Sequence, residues 1–326
     1  MTTRRILLVK TSSLGDVIHN LPVASDIRRR YPDAEIDWVV EESFAEIPRL
    51  HPAVSGVIPV AVRRWRRALL AGNTWRELAA YRRAVRCAVR HPASADFYDA
   101  VIDTQGLLKS ALLAWPARGK KYGHATPREP LAALAYDVAI EIPREQNAVV
   151  RNRQLAAAAL GYALDDLPLD YGIAAEPLQA SWVPKGYAVL LTATSRADKE
   201  WPETHWHELG TSLNAAGLAC VLPGGSPDER ARAERIANDL DHAVAAPAMN
   251  LTDLAGLMAG ARLVVGVDTG LVHLAAALDK PTVALYCGSD PRLTGVYAGA
   301  HAVNLGAVGA SPAVTDVINA SRAVLG

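Results

Sequence analysis

The run Ile6-Leu-Leu-Val-Lys-Thr-Ser-Ser-Leu-Gly-Asp-Val-Ile-His-Asn-Leu-Pro22 reads as a strand, a tight turn and the start of a helix. Four consecutive apolar residues suit a strand that is covered on both faces, as strands of parallel sheets are. In an α/β protein the first such turn points its backbone into the ligand crevice. A dinucleotide-binding turn would carry Gly-x-Gly-x-x-Gly and keep acids away from the phosphates. Here the turn has one glycine, Gly15, followed at once by Asp16. The N–H groups at a helix N-terminus stabilise a carboxylate as an anion. Asp16 is therefore either a helix cap, for which Asp is a favoured type, or an ionised proton acceptor, and this segment alone leaves both open.

The same alternation continues outward. Residues 17–30 read as a helix with Arg28, Arg29 and Arg30 at its C-terminal end, where cations oppose the helix dipole. Residues 36–40, 57–62 and 100–103 read as strands, and 75–89 as a helix. A second series begins at the strand 187–191, with further strands at 219–222, 263–267 and 282–286. Helices are expected at 205–216, 228–240, 251–259, 271–278 and 313–324. Strands that alternate with helices indicate parallel sheets. The expected fold class is α/β, with one Rossmann-like domain at 1–170 and another at 171–326. A ligand cleft is expected between them, and the last helix is expected to pack back on the first domain.

Bulk composition narrows the function. Half of the 326 residues are hydrophobic, enough for two cores. Cys87, Cys220 and Cys287 are far apart and have no metal-ligand spacing, which suits free thiols in a reducing compartment. There is no apolar run of membrane-spanning length and no signal-peptide pattern, so a cytoplasmic location is expected. The net charge of zero hides an asymmetry: residues 1–160 hold 24 Lys and Arg against 16 Asp and Glu, and the remainder holds 10 against 18. A basic half points to an anionic partner, either nucleic acid or acidic lipid head groups. There is no zinc motif, P-loop or Gly-x-Ser-x-Gly elbow, and no metal is expected.

Four constellations could carry chemistry. Val-Val-Gly-Val-Asp268-Thr269-Gly270-Leu271-Val-His273 is a strand, a turn and a helix start whose free N–H groups suit a diphosphate. It is equally a capped helix with an incidental histidine. Thr194, Ser195 and Lys199 lie in a polar loop before a helix, where hydroxyls and an ammonium could meet phosphate oxygens, or simply meet solvent. Pro223-Gly224-Gly225-Ser226-Pro-Asp-Glu229 allows close approach of the backbone to a ligand. Glu229 there could accept ribose hydroxyls or merely complement a helix dipole. Arg63-Arg64-Trp65-Arg66-Arg67 has no intervening acid; it reads as an anion-binding patch with Trp65 at an interface.

Seven segments in order carry a family resemblance: Lys10-Thr-Ser-Ser-Leu-Gly-Asp16, Asp37-Trp-Val-Val-Glu-Glu42, Ile58-Pro-Val-Ala-Val-Arg-Arg-Trp-Arg66, Asp103-Thr-Gln-Gly-Leu107, Arg128-Glu-Pro-Leu131, Asp198-Lys-Glu-Trp-Pro202 and Val267-Asp-Thr-Gly-Leu271. Together they resemble the bacterial lipopolysaccharide heptosyltransferases of glycosyltransferase family 9. The Trp-Val-Val-Glu-Glu and Arg-Arg-Trp-Arg segments resemble the branch that adds the first heptose. The resemblance implies a GT-B fold and metal-free, inverting transfer of L-glycero-D-manno-heptose from ADP-heptose to the inner Kdo of Kdo2-lipid A. It also implies peripheral association with the cytoplasmic face of an anionic inner membrane.

By position, it implies Asp16 as general base and Lys199 at the donor phosphates. Thr194, Ser195, Glu229, Met249, Asp268, Thr269, Gly270, Leu271 and His273 match donor-side residues. Ser13, Gly15, Arg63, Arg64, Arg66, Arg67, Gln105 and Lys109 match the acceptor side. Cys287-Gly288-Ser289 departs from the Gly-Pro-Thr common in relatives, which leaves the shape of that loop open. Three other activities compete: transfer of a second heptose, nucleotide-sugar epimerisation and nucleic-acid binding. The cationic half argues against an epimerase, and no nucleic-acid motif accompanies the charge.

Overall fold

The computed structural model describes residues 4–86, 97–194, 196–299 and 301–326. Cys87 and Ser195 lie outside the described residues. The chain divides into two compact units, Met1–Ile173 and Ala174–Gly326.

The first unit holds strands β1 (Arg5–Val9), β2 (Glu35–Glu41), β3 (Gly56–Val60), β4 (Tyr98–Asp103), β5 (Gly119–His124) and β6 (Val138–Ile140). They form one parallel sheet in the order β3-β2-β1-β4-β5-β6. Ile6, Leu7, Leu8 and Val9 are fully buried, as a central parallel strand with helices on both faces requires. Strand order reverses between β1 and β4. Val9 is in register with Asp103, so the turn after β1 lies beside the turn after β4. That is the switch point where α/β sheets bind ligands.

The second unit repeats the pattern with β7 (Tyr187–Leu191), β8 (Ala219–Leu222), β9 (Ala243–Ala245), β10 (Leu263–Val267), β11 (Thr282–Tyr286) and β12 (Ala302–Gly306). The order is β12-β11-β10-β7-β8-β9. Here the reversal falls between β7 and β10, where Leu191 pairs with Gly266, and the turns at Thr194 and Asp268 become neighbours. Trp201 and Trp206 are fully buried and meet edge to face at 5.0 Å. Trp201 Nε1 donates to the Pro312 carbonyl at 3.0 Å, which anchors the segment that carries Lys199.

One expectation is corrected. Residues 17–30 are not one helix. They divide into Leu14–Ile18 and Leu21–Arg30, because Pro22 cannot donate to Ile18 and its ring crowds that carbonyl. The closing helix Val314–Leu325 places Val317 and Val324 in the second unit's core with Ala188, Leu209 and Leu285.

Candidate active site

In the first unit Asp16 has both properties the sequence left open. It is the third residue of the helix Leu14–Ile18, and its Oδ2 accepts the Ser13 N–H at 2.7 Å and the Ser13 hydroxyl at 3.1 Å. It is therefore a capping acid. It also lines a cavity of about 180 Å³ with Lys10, Gln105, His124, Arg128, Arg144 and Arg151. Burial alone would raise its carboxyl, but Lys10, the Ser13 hydrogen bonds and His19 outweigh that and hold it below its usual value. The result is a fixed, ionised carboxylate.

The cavity is cationic: Lys10 and Arg128 come from the motifs, Arg144 and Arg151 from outside them. Lys10 is buried and its ammonium donates to the Thr104 carbonyl at 2.9 Å. Burial lowers its pKa, opposed by Asp16 and Asp103. His124, at the end of β5, is pushed down to about 4, first by burial and then by Lys10, Arg151 and Arg144. It is neutral at pH 7. Arg151 Nε and Thr104 Oγ1 are buried without a hydrogen-bond partner among the described residues. Buried donors are nearly always satisfied, so a cavity with several cations and an orphaned guanidinium nitrogen suits an anionic ligand.

The acceptor-side residues expected from the sequence divide by role. Gln105 stitches the two turns together: its Oε1 accepts the Thr11 and Ser12 N–H groups and its Nε2 donates to the Ser12 carbonyl. Buried Asp103 shapes the second turn, accepting the Gln105 N–H and the Ser110 and Tyr136 hydroxyls, each at 2.8 Å. Gly106 follows with φ +66°, a conformation that favours glycine. Lys109 Nζ donates to Ser12 Oγ at 2.6 Å. Ser13 is the exposed N-cap, and Gly15 is a buried residue of the helix Leu14–Ile18.

The arginine cluster forms the helix Val62–Arg67 and is not uniformly free. Arg64 is bound by Glu42 at 3.0 Å and Glu77 at 2.9 Å, acids that its own segment lacks. Arg63 stacks 5.7 Å over Phe44, while Arg66 and Arg67 are exposed. Trp65 is buried in the core and donates to Glu77 at 2.6 Å.

In the second unit a cavity of about 250 Å³ brings together Thr194, Glu229, Met249, Thr269 and Leu271. Beside it lies a buried polar cluster. Thr194 Oγ1 donates to the Asp268 carbonyl at 3.1 Å. The Asp268 carboxylate accepts Lys199 Nζ and Ser289 Oγ, both at 2.5 Å, with His273 Nε2 3.9 Å away. Burial would raise the Asp268 carboxyl, but His273, Lys199 and Ser289 hold it well below the carboxylate range. Thr269 caps the helix Gly270–Ala277, whose first N–H groups have no intrahelical acceptor.

Glu229 is a capping acid, with Oε2 accepting the Gly225 and Ser226 N–H groups at 2.8 and 3.0 Å. Gly224 lines the same cavity and packs closely, since a Cβ there would stand 2.7 Å from the Arg230 nitrogen. Cys287-Gly288-Ser289 now has a shape: a Cβ on Gly288 would fall 2.7 Å from Asp198 Oδ2, so the loop lies tight against the Lys199 turn and delivers Ser289 to Asp268. Among the described residues no group of three His, Cys, Asp or Glu side chains could hold a metal ion. No described helix is long and apolar enough to cross a membrane.

Known proteins resemble this chain in sequence and fold. The model of the family described as glycosyltransferase family 9 (heptosyltransferase) matches residues 86–319. The chain belongs to glycosyltransferase family 9. Within the family it is 48% identical over 297 residues to lipopolysaccharide heptosyltransferase 1 of Salmonella typhimurium, covering 90% of this chain and 91% of the relative. The Pseudomonas aeruginosa heptosyltransferase 1 is 46% identical, covering 93% and 83%. The structure of the Escherichia coli heptosyltransferase WaaC with ADP superposes with a TM-score of 0.88 at 43% identity, covering 97% of this chain and 98% of WaaC. The family 9 match and the paired six-stranded parallel sheets bear out the expected GT-B class.

Proposed function

We propose that this chain transfers a heptose from ADP-heptose to the lipopolysaccharide inner core, onto the inner Kdo of Kdo2-lipid A. The observation that carries the acceptor is the cationic cavity at Asp16. Kdo is a sugar acid, and its carboxylate suits Arg151, Arg144 and Lys10, while one of its hydroxyls would face the Asp16 carboxylate. The Salmonella typhimurium and Pseudomonas aeruginosa heptosyltransferases 1 are 48% and 46% identical, although that of Campylobacter coli is 24%; within one organism, the Salmonella typhimurium heptosyltransferase 2 is 27% identical against 48%, which favours the first heptose over the second.

The chemistry follows from the side chains. Asp16 takes the proton of the attacking hydroxyl as the oxygen attacks the anomeric carbon, which inverts that centre. A carboxylate ionised well below neutral pH is a weak base, so its contribution lies in position and in its charge near the oxocarbenium-like carbon. The donor's diphosphate meets the N–H groups of the Gly270–Ala277 helix, and adenosine occupies the cavity at Met249 and Glu229. Lys199, released in part from Asp268, meets the charge that develops on departing ADP. The step needs no metal ion. Peripheral association with an anionic membrane face follows from the lipid nature of the acceptor.

The test is ADP release from ADP-heptose with Kdo2-lipid A, with Kdo2-lipid A already bearing one heptose, and without acceptor. Release is expected in the first case alone. Equal release without acceptor would sink the transferase assignment.

A further inference from the structure

A further cavity adjoins the turn that carries Gln105 and Lys109. It is a groove of about 640 Å³ in the first unit, walled by Trp65, Leu69, Tyr81, Leu112 and Trp115, with Arg66, Arg82 and Lys109 also lining it. Its apolar wall continues onto open surface. Leu70 is fully exposed, and Leu112 and Trp115 are 60% and 65% exposed. Leu108, Leu112 and Trp115 share one face of the helix Leu108–Ala114 and its cap, at spacings of four and three residues. That helix packs on the turn Pro130–Ala135, which adds exposed Leu131 and Leu134. Large exposed apolar patches on soluble domains mark contact sites.

Charge says what covers it. Among the described residues Arg66, Arg67, Arg82 and Arg83 have no acidic partner within ion-pair distance. Aromatic and leucine side chains beside unpaired arginines match a lipid interface, where apolar groups enter the acyl boundary and cations meet phosphates. The groove also lies next to the chemistry. Leu108 and Lys109 line it, while Gln105 and Gly106 of the same turn line the Asp16 cavity.

With the lipid acceptor assigned above as premise, we propose that this groove face docks the first unit on an anionic phospholipid bilayer. Leu70, Leu112 and Trp115 enter the interface, the arginine rim lies at the head groups, and Asp16 is left at the height of a membrane-borne sugar.

The test uses the full chain and sucrose-loaded vesicles of phosphatidylethanolamine with phosphatidylglycerol, against vesicles of phosphatidylcholine. The parent is expected to sediment with the anionic vesicles at least tenfold more than with the neutral ones. The triple variant Leu70→Ser, Leu112→Ser, Trp115→Ser should lose at least tenfold in that partitioning. These side chains are largely exposed, so its melting temperature and its turnover on a water-soluble deacylated Kdo acceptor should match the parent. Arg82→Glu should cut anionic binding alone. Equal partitioning of parent and triple variant would overturn the proposal, as would a parent that ignores anionic vesicles or buries the groove by self-association. Failure of transfer to the soluble acceptor, with vesicle binding intact, would instead overturn the acceptor assignment.

Discussion

Replacing Asp16 by Asn separates the cap from the base. The amide oxygen can still accept the Ser13 N–H and hydroxyl that Oδ2 accepts now, so the cap survives and stability should change by about 1 kcal/mol or less. What is lost is the proton acceptor and the negative charge that opposes buried Lys10. General-base catalysis contributes about 10²–10⁴ in rate, or roughly 3–5 kcal/mol of barrier at about 1.4 kcal/mol per tenfold. The expected outcome is a kcat lowered by at least about a hundredfold, with the KM for ADP-heptose unchanged, because the residues proposed to hold the donor lie in the second unit. Asp16→Ala removes the cap as well and should lower the melting temperature further. The assay is initial-rate ADP release with saturating soluble Kdo acceptor, alongside thermal unfolding of each variant. An Asn variant that turns over within threefold of the parent, with Ala impaired only through lost stability, would make Asp16 a cap and nothing more.

The other predictions concern neighbouring groups. Arg151→Ala should raise the acceptor KM by about tenfold or more, since a charged hydrogen bond contributes roughly 1.5–3 kcal/mol, and leave the donor KM alone; kinetics with each substrate varied in turn would show it. Ser289→Ala removes one of the 2.5 Å hydrogen bonds to Asp268 and should lower kcat by up to about tenfold. Ser289→Thr should restore it, and equal rates for all three would refute a positioning role. His51 is buried, with Nδ1 accepting the Ala53 N–H at 3.1 Å, so Nε2 carries the proton and donates to Ser25 at 3.0 Å. Burial pushes its pKa down to about 4, as it does for His124. The unfolded chain binds these protons near pH 6.5 and the native chain only near pH 4. The stability contributed by neutral histidines is therefore complete above pH 6.5 and is lost as pH falls toward 4, on the order of 3 kcal/mol for a shift of this size. Urea midpoints should fall across that window, less so in His51→Gln.

The fold was legible because central strands of a parallel sheet are apolar throughout: 187–191, 219–222, 263–267 and 282–286 stand where the pattern put them. The strands that were not anticipated are peripheral. Gly119–His124 carries Lys120 and Lys121, and Ala243–Ala245 is three residues long, so neither shows apolar periodicity. Turn residues were legible where a motif is local, as with Asp16 and Asp268–Leu271. Arg144 and Arg151 beside Asp16 were not, because they come from segments far from the Lys10–Asp16 motif that only the fold brings to it. Trp65 shows the opposite error. Its segment of four arginines reads as an anion-binding patch with the tryptophan at an interface, yet Trp65 is core.

One measurement bears most directly on the central assignment: the mass of Kdo2-lipid A recovered after incubation with ADP-heptose and this chain. Addition of one heptose per lipid, with stoichiometric ADP and no further addition to the heptosylated product, is the predicted result. An unchanged lipid mass while ADP accumulates, or a heptose added only when the acceptor already carries one, would contradict it.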